Sequence, residues 1–376
     1  TGVRDGVCVV GARRPRILAE ALRHDVVAAP WIQPFLIPML LARGVVLVPD
    51  LYDPAELELA SGDGDVDSPE LRSLTRLTEL QLRFADFIIC GSRRQRDHLL
   101  RKLERGSTAR GAAPVVPVPF GLPSPPPPRN GHPLRELAGL ARDDFVILWW
   151  GTIWRWFDPA TAIEAVASLA SRRPNIRLVF SAGPPPDPGS HALVKTEEAR
   201  AIASSSGALG ASTLFLDRWL PYEDRYRYLQ DADLGITLHA ENEEAELAVR
   251  ARYLDYLWCA LPCVLSAGDE LAEQLAETGL ATLVPPRDVE ATAAALERRI
   301  DDIEGRAAAA RHAQDLTQRL QWAEVVKPFA RAVDEAVRVR RQRRFAAGLR
   351  SLWPVTTFYL QRTRAALPSS AWSSKP

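Results

Sequence analysis

The chain has 376 residues, of which 47% are apolar and 25% charged, and its 47 basic residues balance 47 acidic ones. Such proportions exclude a disordered or fibrous chain, and the length points to two domains rather than one core. Its four cysteines, Cys8, Cys90, Cys259 and Cys263, contain no Cys-x-x-Cys pair, which excludes a disulfide framework and a zinc ribbon.

In chain order, 7–10 is a short apolar run, 15–22 reads as a helix and 25–29 as a strand. The most apolar stretch, 26–42, holds Pro30, Pro34 and Pro38 at four-residue spacing. It is shorter than the ~20 residues of a spanning helix, and its prolines would break one. A soluble, cytoplasmic protein is expected. Val45, Val46, Leu47 and Val48 lie between Gly44 and Pro49, a continuous apolar run that suits a parallel strand buried on both faces. Leu71, Leu74, Leu77, Leu80 and Leu82 mark a helix from 68 to about 84. A strand at 87–90, a helix to about 103 and a strand at 115–118 complete this half. The proline run at 123–128, followed by Asn130-Gly131, reads as a stiff spacer. The domain junction is placed between Gly121 and Arg142.

The second half restarts the alternation. Strands are expected at 145–150, 176–181, 213–216, 234–238, 263–266 and 282–284. Helices are expected at 158–171, 197–205, 222–230, 248–259, 270–277 and 289–303, the first opened by Asp158-Pro159. Strands alternating with helices mean βαβ units on a parallel sheet. The organisation read from the sequence is a Rossmann-like domain over 1–128, a second over 143–310, a helical segment 311–337 that packs back across both, and a basic tail 338–376. Trp322 and Phe329 are expected to dock that helix.

No acidic residue follows Glu335, whereas nine basic residues do. With Phe345, Leu349, Trp353 and Phe358 among them, the tail could lie on an anionic membrane surface. The alternative is a surface helix and a frayed end, or an arm folded onto the acidic body. Nucleic acid is an unsuitable partner, because the body is acidic and only the tail is basic.

In open α/β sheets ligands bind beyond the carboxyl ends of strands. That rule singles out 151–157, 181–183, 219–222, 239–252 and 267–270. No Gly-x-Gly-x-x-Gly and no Walker A sequence follows any strand, which argues against NAD dehydrogenases and P-loop enzymes. The densest stretch runs from His239 through Glu241, Glu243, Glu244 and Glu246 to Arg250, Arg252 and Asp255. Arginines in the first turn of a helix face its positive end unless an anion is present, and a diphosphate would supply one. The alternative is that Arg250 and Arg252 pair with the acidic loop. Asp50 and Asp53 end a strand and could touch a sugar, or could merely cap an Asp-x-x-Asp-Pro turn. Trp154 and Trp156 could stack on a sugar or acceptor, or pack internally.

At 254–264 the sequence Leu-Asp-Tyr-Leu-Trp-Cys-Ala-Leu-Pro-Cys-Val, followed by Gly268-Asp269, resembles the signature of the family 4 retaining glycosyltransferases. Segments 149–158, 215–221 and 231–239 are similar to other parts of the same template. Asp50-Leu-Tyr-Asp53-Pro and the stretch 85–93 resemble bacterial members from surface-polysaccharide clusters. The resemblance covers roughly residues 24–335 and implies a GT-B fold, α/β, with two Rossmann-like parallel-sheet domains facing a cleft. It implies transfer of a sugar from a nucleotide diphosphate donor to a glycan or lipid-linked glycan acceptor, retaining and without metal or further cofactor. It also implies that the first domain is incomplete, by roughly 60–80 residues against a complete ~150-residue domain.

Carried over by position, Asp255 would hold the ribose. Arg250, Arg252 and Arg155 would hold the diphosphate, Trp219 and Leu220 would flank the base, and Gly151 and Gly183 would let backbone approach the donor. His239 and Asp269 lie at strand ends on the same side. Leu247 stands where the family has its first signature Glu, so the sugar-contacting acid is Glu244 or Glu246. Thr152 and Phe157 stand where the family has Arg and Lys. Two other readings are open, a degenerate nucleotide-sugar-binding partner and a GT-B sugar-nucleotide epimerase.

Overall fold

The structure is a computed structural model, and the residues it describes are 2–4, 7–9, 14–52, 55–60, 68–105, 113–181, 183, 192–340 and 351–356. They divide into two compact units, one of Thr1–Val118 with Val326–Pro376, the other Pro119–Val325.

In the first unit β1 (Gly2–Arg4) pairs antiparallel with β2 (Val7–Val9). Strand β3 (Val26–Ala29) pairs parallel with β4 (Val46–Pro49), and β5 (Ile88–Cys90) with β6 (Val115–Pro117). A parallel bridge from Asp50 to Ile89 links the two pairs. The three-proline stretch becomes a short helical turn Pro34–Leu36 and a helix Ile37–Arg43 with Pro38 in its first turn. Proline is tolerated there because the N–H it lacks has no helical partner. Gly44, at φ 83°, ends the helix in the left-handed conformation. The helix Lys327–Arg340 covers Val46, Val48 and Phe87, with the Phe329 ring 6.0 Å from that of Phe87. Arg340 closes this packing through a 2.8 Å ion pair to Asp86, whose carboxylate also accepts from the Leu47 amide.

The second unit is built on six parallel strands in the order β12-β11-β10-β7-β8-β9. These are β7 (Phe145–Trp149), β8 (Ile176–Phe180), β9 (Thr213–Phe215), β10 (Leu234–Thr237), β11 (Cys263–Ser266) and β12 (Ala281–Val284). Their apolar runs follow from burial on both faces. Val146 and Leu148 pack on one side with Tyr253, Tyr256 and Leu257, while Ile147 and Trp149 pack on the other with Ile163, Val166 and Leu169 of the helix Pro159–Ala170. Asp158 caps that helix by accepting from the Thr161 amide. The chain runs outward from β7 through β8 to β9, then returns to lay β10 against the other edge of β7. The β7/β10 neighbours are therefore the topological switch point, where this class of sheet opens a crevice for a ligand.

Two expectations are corrected. The proline spacer belongs to the second unit, because the Leu122 amide donates to Leu320 O (2.6 Å) and Trp258 Nε1 to Ser124 O (2.9 Å). The helical segment expected over 311–337 is not one helix: it holds Gln314–Arg319, Trp322–Val325 and Lys327–Arg340. The break at Gln321 lets the backbone pair with Leu122 and seats Trp322 over Gly121, where an added Cβ would stand 2.3 Å from the indole. Trp322 thus lies in the second unit and Phe329 in the first. Of the basic tail, 338–340 and 351–356 are described; Val355 packs beside Leu36 and Leu40, and Trp353 is exposed. Among the described residues no helix is long and apolar enough to cross a membrane.

Candidate active site

The loops that leave β7 and β10 are bonded to one another. Phe157 and His239 form an antiparallel bridge, the Asp158 amide donates to Leu238 O (2.9 Å), and the Ala240 amide to Trp156 O (3.4 Å). Gly151, at φ 80°, turns the chain out of β7, and its amide donates to Ser181 Oγ (2.9 Å). That positive φ disfavours any residue with a Cβ.

The helix Ala251–Trp258 is driven into this point by Tyr256, a residue sequence reasoning did not single out. Its hydroxyl lies 3.1 Å from Ile236 O, 3.0 Å from Thr237 Oγ1 and 3.4 Å from Leu148 O, so it ties β10 to β7. Burial pushes its pKa up to about 12, so it stays a neutral donor. Gly235 makes room for the ring, since a Cβ there would come within 2.9 Å of it.

The two arginines part company. Arg250 occupies the N-cap position and is buried; its Nη2 donates to Glu244 Oε2 (3.1 Å), and its Nη1 stands 3.8 Å from Asp269 Oδ2. It pairs with the acidic segment, as one of the two open readings had it. Arg252 does not. Its Nη2 donates to Thr152 O (2.6 Å), its guanidinium lies over the Phe157 ring at 4.1 Å, and its buried Nη1 has no partner among the described residues. Burial, more than any neighbouring charge, lowers its pKa to about 10, which leaves it protonated at neutral pH.

Three further buried polar atoms in the same cluster lack partners among the described residues: Arg250 Nε, Tyr253 Oη and His239 Nε2. His239 is held by its own amide on Ser266 Oγ (3.0 Å) and by Nδ1 against Ala240 O (3.0 Å), with Nε2 3.9 Å from Asp269 Oδ2. Burial and then Arg250 lower its pKa to about 3, so the ring is neutral, Nδ1 carries the proton, and Nε2 is an acceptor. Asp269 caps the helix Glu270–Glu277 through the Ala272 amide (2.8 Å).

Asp255 is engaged on both oxygens. Oδ1 accepts from Arg225 Nε (2.9 Å) and Oδ2 from Trp150 Nε1 (3.1 Å). Neither donor was foreseen from the sequence. Burial raises its pKa, and Arg225 and then Trp150 act against that shift.

The other sequence candidates separate by exposure. Glu244 is buried against Arg250, whereas Glu246 is exposed on the helix Glu243–Leu247, a segment expected to be loop. Gly183 packs against the Arg218 main chain, where a Cβ would fall 2.1 Å from the carbonyl oxygen. Its glycine character thus answers to protein backbone. Trp219 is exposed and Leu220 half-buried on the second unit's core. Trp154 and Trp156 stack with ring centroids 5.6 Å apart, and Arg155 between them is exposed. Asp50 lies in the first unit, its pKa raised by burial and lowered less by a backbone hydrogen bond from Tyr52; Asp53 lies outside the described residues.

Residues 144–302 match the family described as Glycosyl transferases group 1. None of the curated proteins compared with the chain matches it. Among solved structures, the chain is similar to sucrose-phosphate synthase from Thermosynechococcus elongatus, at 16% identity and TM-score 0.64 over 86% of this chain and 78% of that one. It is also similar to Anabaena HepE in complex with UDP and glucose, at 17% identity and TM-score 0.65 over 85% and 81%. A third is a UDP-forming trehalose-phosphate synthase from Burkholderia xenovorans, at 17% identity and TM-score 0.58 over 86% and 78%. The fold is GT-B. The family match covers the six-stranded sheet, the helix that carries Arg252 and Asp255, and His239 just beyond β10.

Proposed function

We propose that this chain transfers a hexosyl group from a nucleoside diphosphate donor to a glycan or lipid-linked glycan acceptor, with retained configuration and without a metal, in surface-polysaccharide assembly. The observation that carries the reading is the unpartnered, buried Nη1 of Arg252 at the β7/β10 switch point. A buried donor without an acceptor is costly, and a diphosphate oxygen is the acceptor a guanidinium binds best. The Glycosyl transferases group 1 match supports the reaction class, and UDP-glucose in crystals of Anabaena HepE supports the ligand class. Arg252 would then stabilise the charge that grows on the leaving diphosphate. Asp255 keeps lone pairs beyond its two protein donors for the ribose hydroxyls.

The test is thermal unfolding with UDP, GDP, ADP and dTDP, each variant compared with its own ligand-free form. A fitting nucleotide at a hundredfold excess over its dissociation constant stabilises by about 2.7 kcal/mol, and Arg252→Ala abolishes that gain. An undiminished gain in Arg252→Ala moves the site elsewhere. A second reading, a partner that holds the nucleotide sugar without transferring it, is favoured by the engagement of Arg250 with Glu244, which leaves Arg252 to meet the phosphates. Release of free nucleotide diphosphate from a donor sugar by the full chain separates the two. The basic tail is the part we assign to an anionic membrane at the inner face of the cell; loss of salt-sensitive vesicle binding on deleting 338–376 is the expected result.

A further inference from the structure

We propose that the stacked indoles of Trp154 and Trp156 form the platform on which the apolar face of a neutral pyranose of the acceptor is held beside the donor site. This deepens the glycosyltransferase reading above and rests on it. The two rings are nearly parallel, 14° apart, with centroids at 5.6 Å. Internal packing accounts for Trp156, which is half-buried and continues onto Phe157 at 6.1 Å. It does not account for Trp154, which is 38% exposed and whose one ring contact among the described residues is Trp156. A large apolar side chain standing in water beside the β7/β10 switch point lies where sheets of this class bind their ligands.

The platform is held still before any ligand arrives. Phe157 N donates to Trp154 O (3.0 Å), Ala240 N to Trp156 O (3.4 Å) and Arg252 Nη2 to Thr152 O (2.6 Å). A rigid surface loses less entropy on binding. The last of these bonds also sets the location, because the carbonyl that receives Arg252 is two residues before Trp154.

Charge selects the ligand. Beyond Ala240, whose amide donates to Trp156 O, the chain carries the exposed carboxylates of Glu241 and Glu246, and the turn itself exposes Arg155. Carboxylates accept hydrogen bonds from sugar hydroxyls and repel a phosphate. The platform therefore fits an uncharged pyranose ring and disfavours a sugar phosphate.

The experiment is a ligand-observed NMR titration of the full chain with methyl α- and β-pyranosides of glucose, galactose and mannose, with glucose 6-phosphate alongside. At least one pyranoside binds and glucose 6-phosphate binds more weakly. Trp154→Ala weakens the pyranoside about tenfold, in line with the loss of one aromatic contact, and Trp154→Phe restores most of it. Failure of every pyranoside to bind, tighter binding of the phosphate, or unchanged binding by Trp154→Ala overturns the proposal. UDP titrated into the same chains separates the two readings. The donor site falls if UDP ignores Arg252→Ala, whatever the pyranosides do, and the platform falls if the pyranosides ignore Trp154→Ala while UDP still depends on Arg252.

Discussion

Arg225 Nε lies 2.9 Å from Asp255 Oδ1, across 30 residues of chain, with its guanidinium 3.9 Å from the Tyr222 ring and 4.2 Å from that of Trp258. Burial raises the pKa of Asp255, and Arg225 is the first of the groups that act against that shift. Arg225 is buried and Asp255 nearly so. Arg225→Ala strands the carboxylate and is expected to cost about 3 kcal/mol. The double variant Arg225→Ala/Asp255→Ala should cost less than the sum of the two single changes, because the orphaned charge is gone. Urea midpoints of the four proteins measure the coupling; simple additivity would mean that the pair contributes nothing.

Glu244 and Glu246 were equivalent in sequence, and the fold distinguishes them. Glu244 is 2% exposed and bonded to Arg250 at 3.1 Å, while Glu246 points to water. Glu244→Ala leaves Arg250 with Asp269 at 3.8 Å and the Ala245 carbonyl at 3.3 Å, and is expected to cost about 3 kcal/mol. Glu246→Ala should stay within about 0.5 kcal/mol of wild type. Thermal melts decide the matter, and equal losses in the two variants would refute the assignment of Glu244 as Arg250's partner.

What was legible follows from burial. Strand β7 shows as the run Val146-Ile147-Leu148-Trp149 because both faces of the sheet are covered there, so no polar residue interrupts it. Asp158-Pro159 announced its helix because a cap is a local hydrogen bond. Arg225 left no mark, since its partner lies 30 residues away and a cation among tyrosines has no periodic signature. The division of labour between Arg250 and Arg252 was equally hidden. Two residues apart, they fall on either side of the start of the helix Ala251–Trp258, Arg250 at its N-cap and Arg252 in its first turn, and each finds its partner in a different loop. The break near Gln321 was missed because it is dictated by pairing with Leu122, nearly two hundred residues earlier in the chain.

His239 makes the fold sensitive to acid. Its pKa is about 3 in the folded chain against 6.5 for the free side chain. Between those values the unfolded chain binds a proton that the folded chain refuses, so stability rises with pH through the window and is flat above it. The groups facing the ring are Asp269 and Arg250, with Ser266 on its backbone. The slope approaches about 1.4 kcal/mol per pH unit. In His239→Asn the side-chain amide replaces Nδ1 as donor to Ala240 O, and nothing titrates there. The difference between wild type and variant in urea midpoint should therefore change between pH 6.5 and pH 4 in favour of the variant; parallel curves would clear His239.

Ala260 stands in a left-handed turn at φ 50°, just after the helix Ala251–Trp258. Its amide donates to Leu257 O (3.0 Å), and that of Leu261 reaches back to Tyr256 O (2.8 Å). These are the closing bonds of a helix end that glycine normally occupies, because the left-handed region costs a residue with a Cβ roughly 1–2 kcal/mol. Glycine gives part of that back by loosening the unfolded chain, by about 0.4–1 kcal/mol. Ala260→Gly is therefore expected to stabilise by about 0.5–1 kcal/mol, after both effects. Ala165→Gly, inside the helix Pro159–Ala170 and fully buried, should move the other way by at least about 1 kcal/mol. Opposite signs in the two melts confirm the left-handed turn, and a destabilised Ala260→Gly would place Ala260 in an ordinary helical conformation.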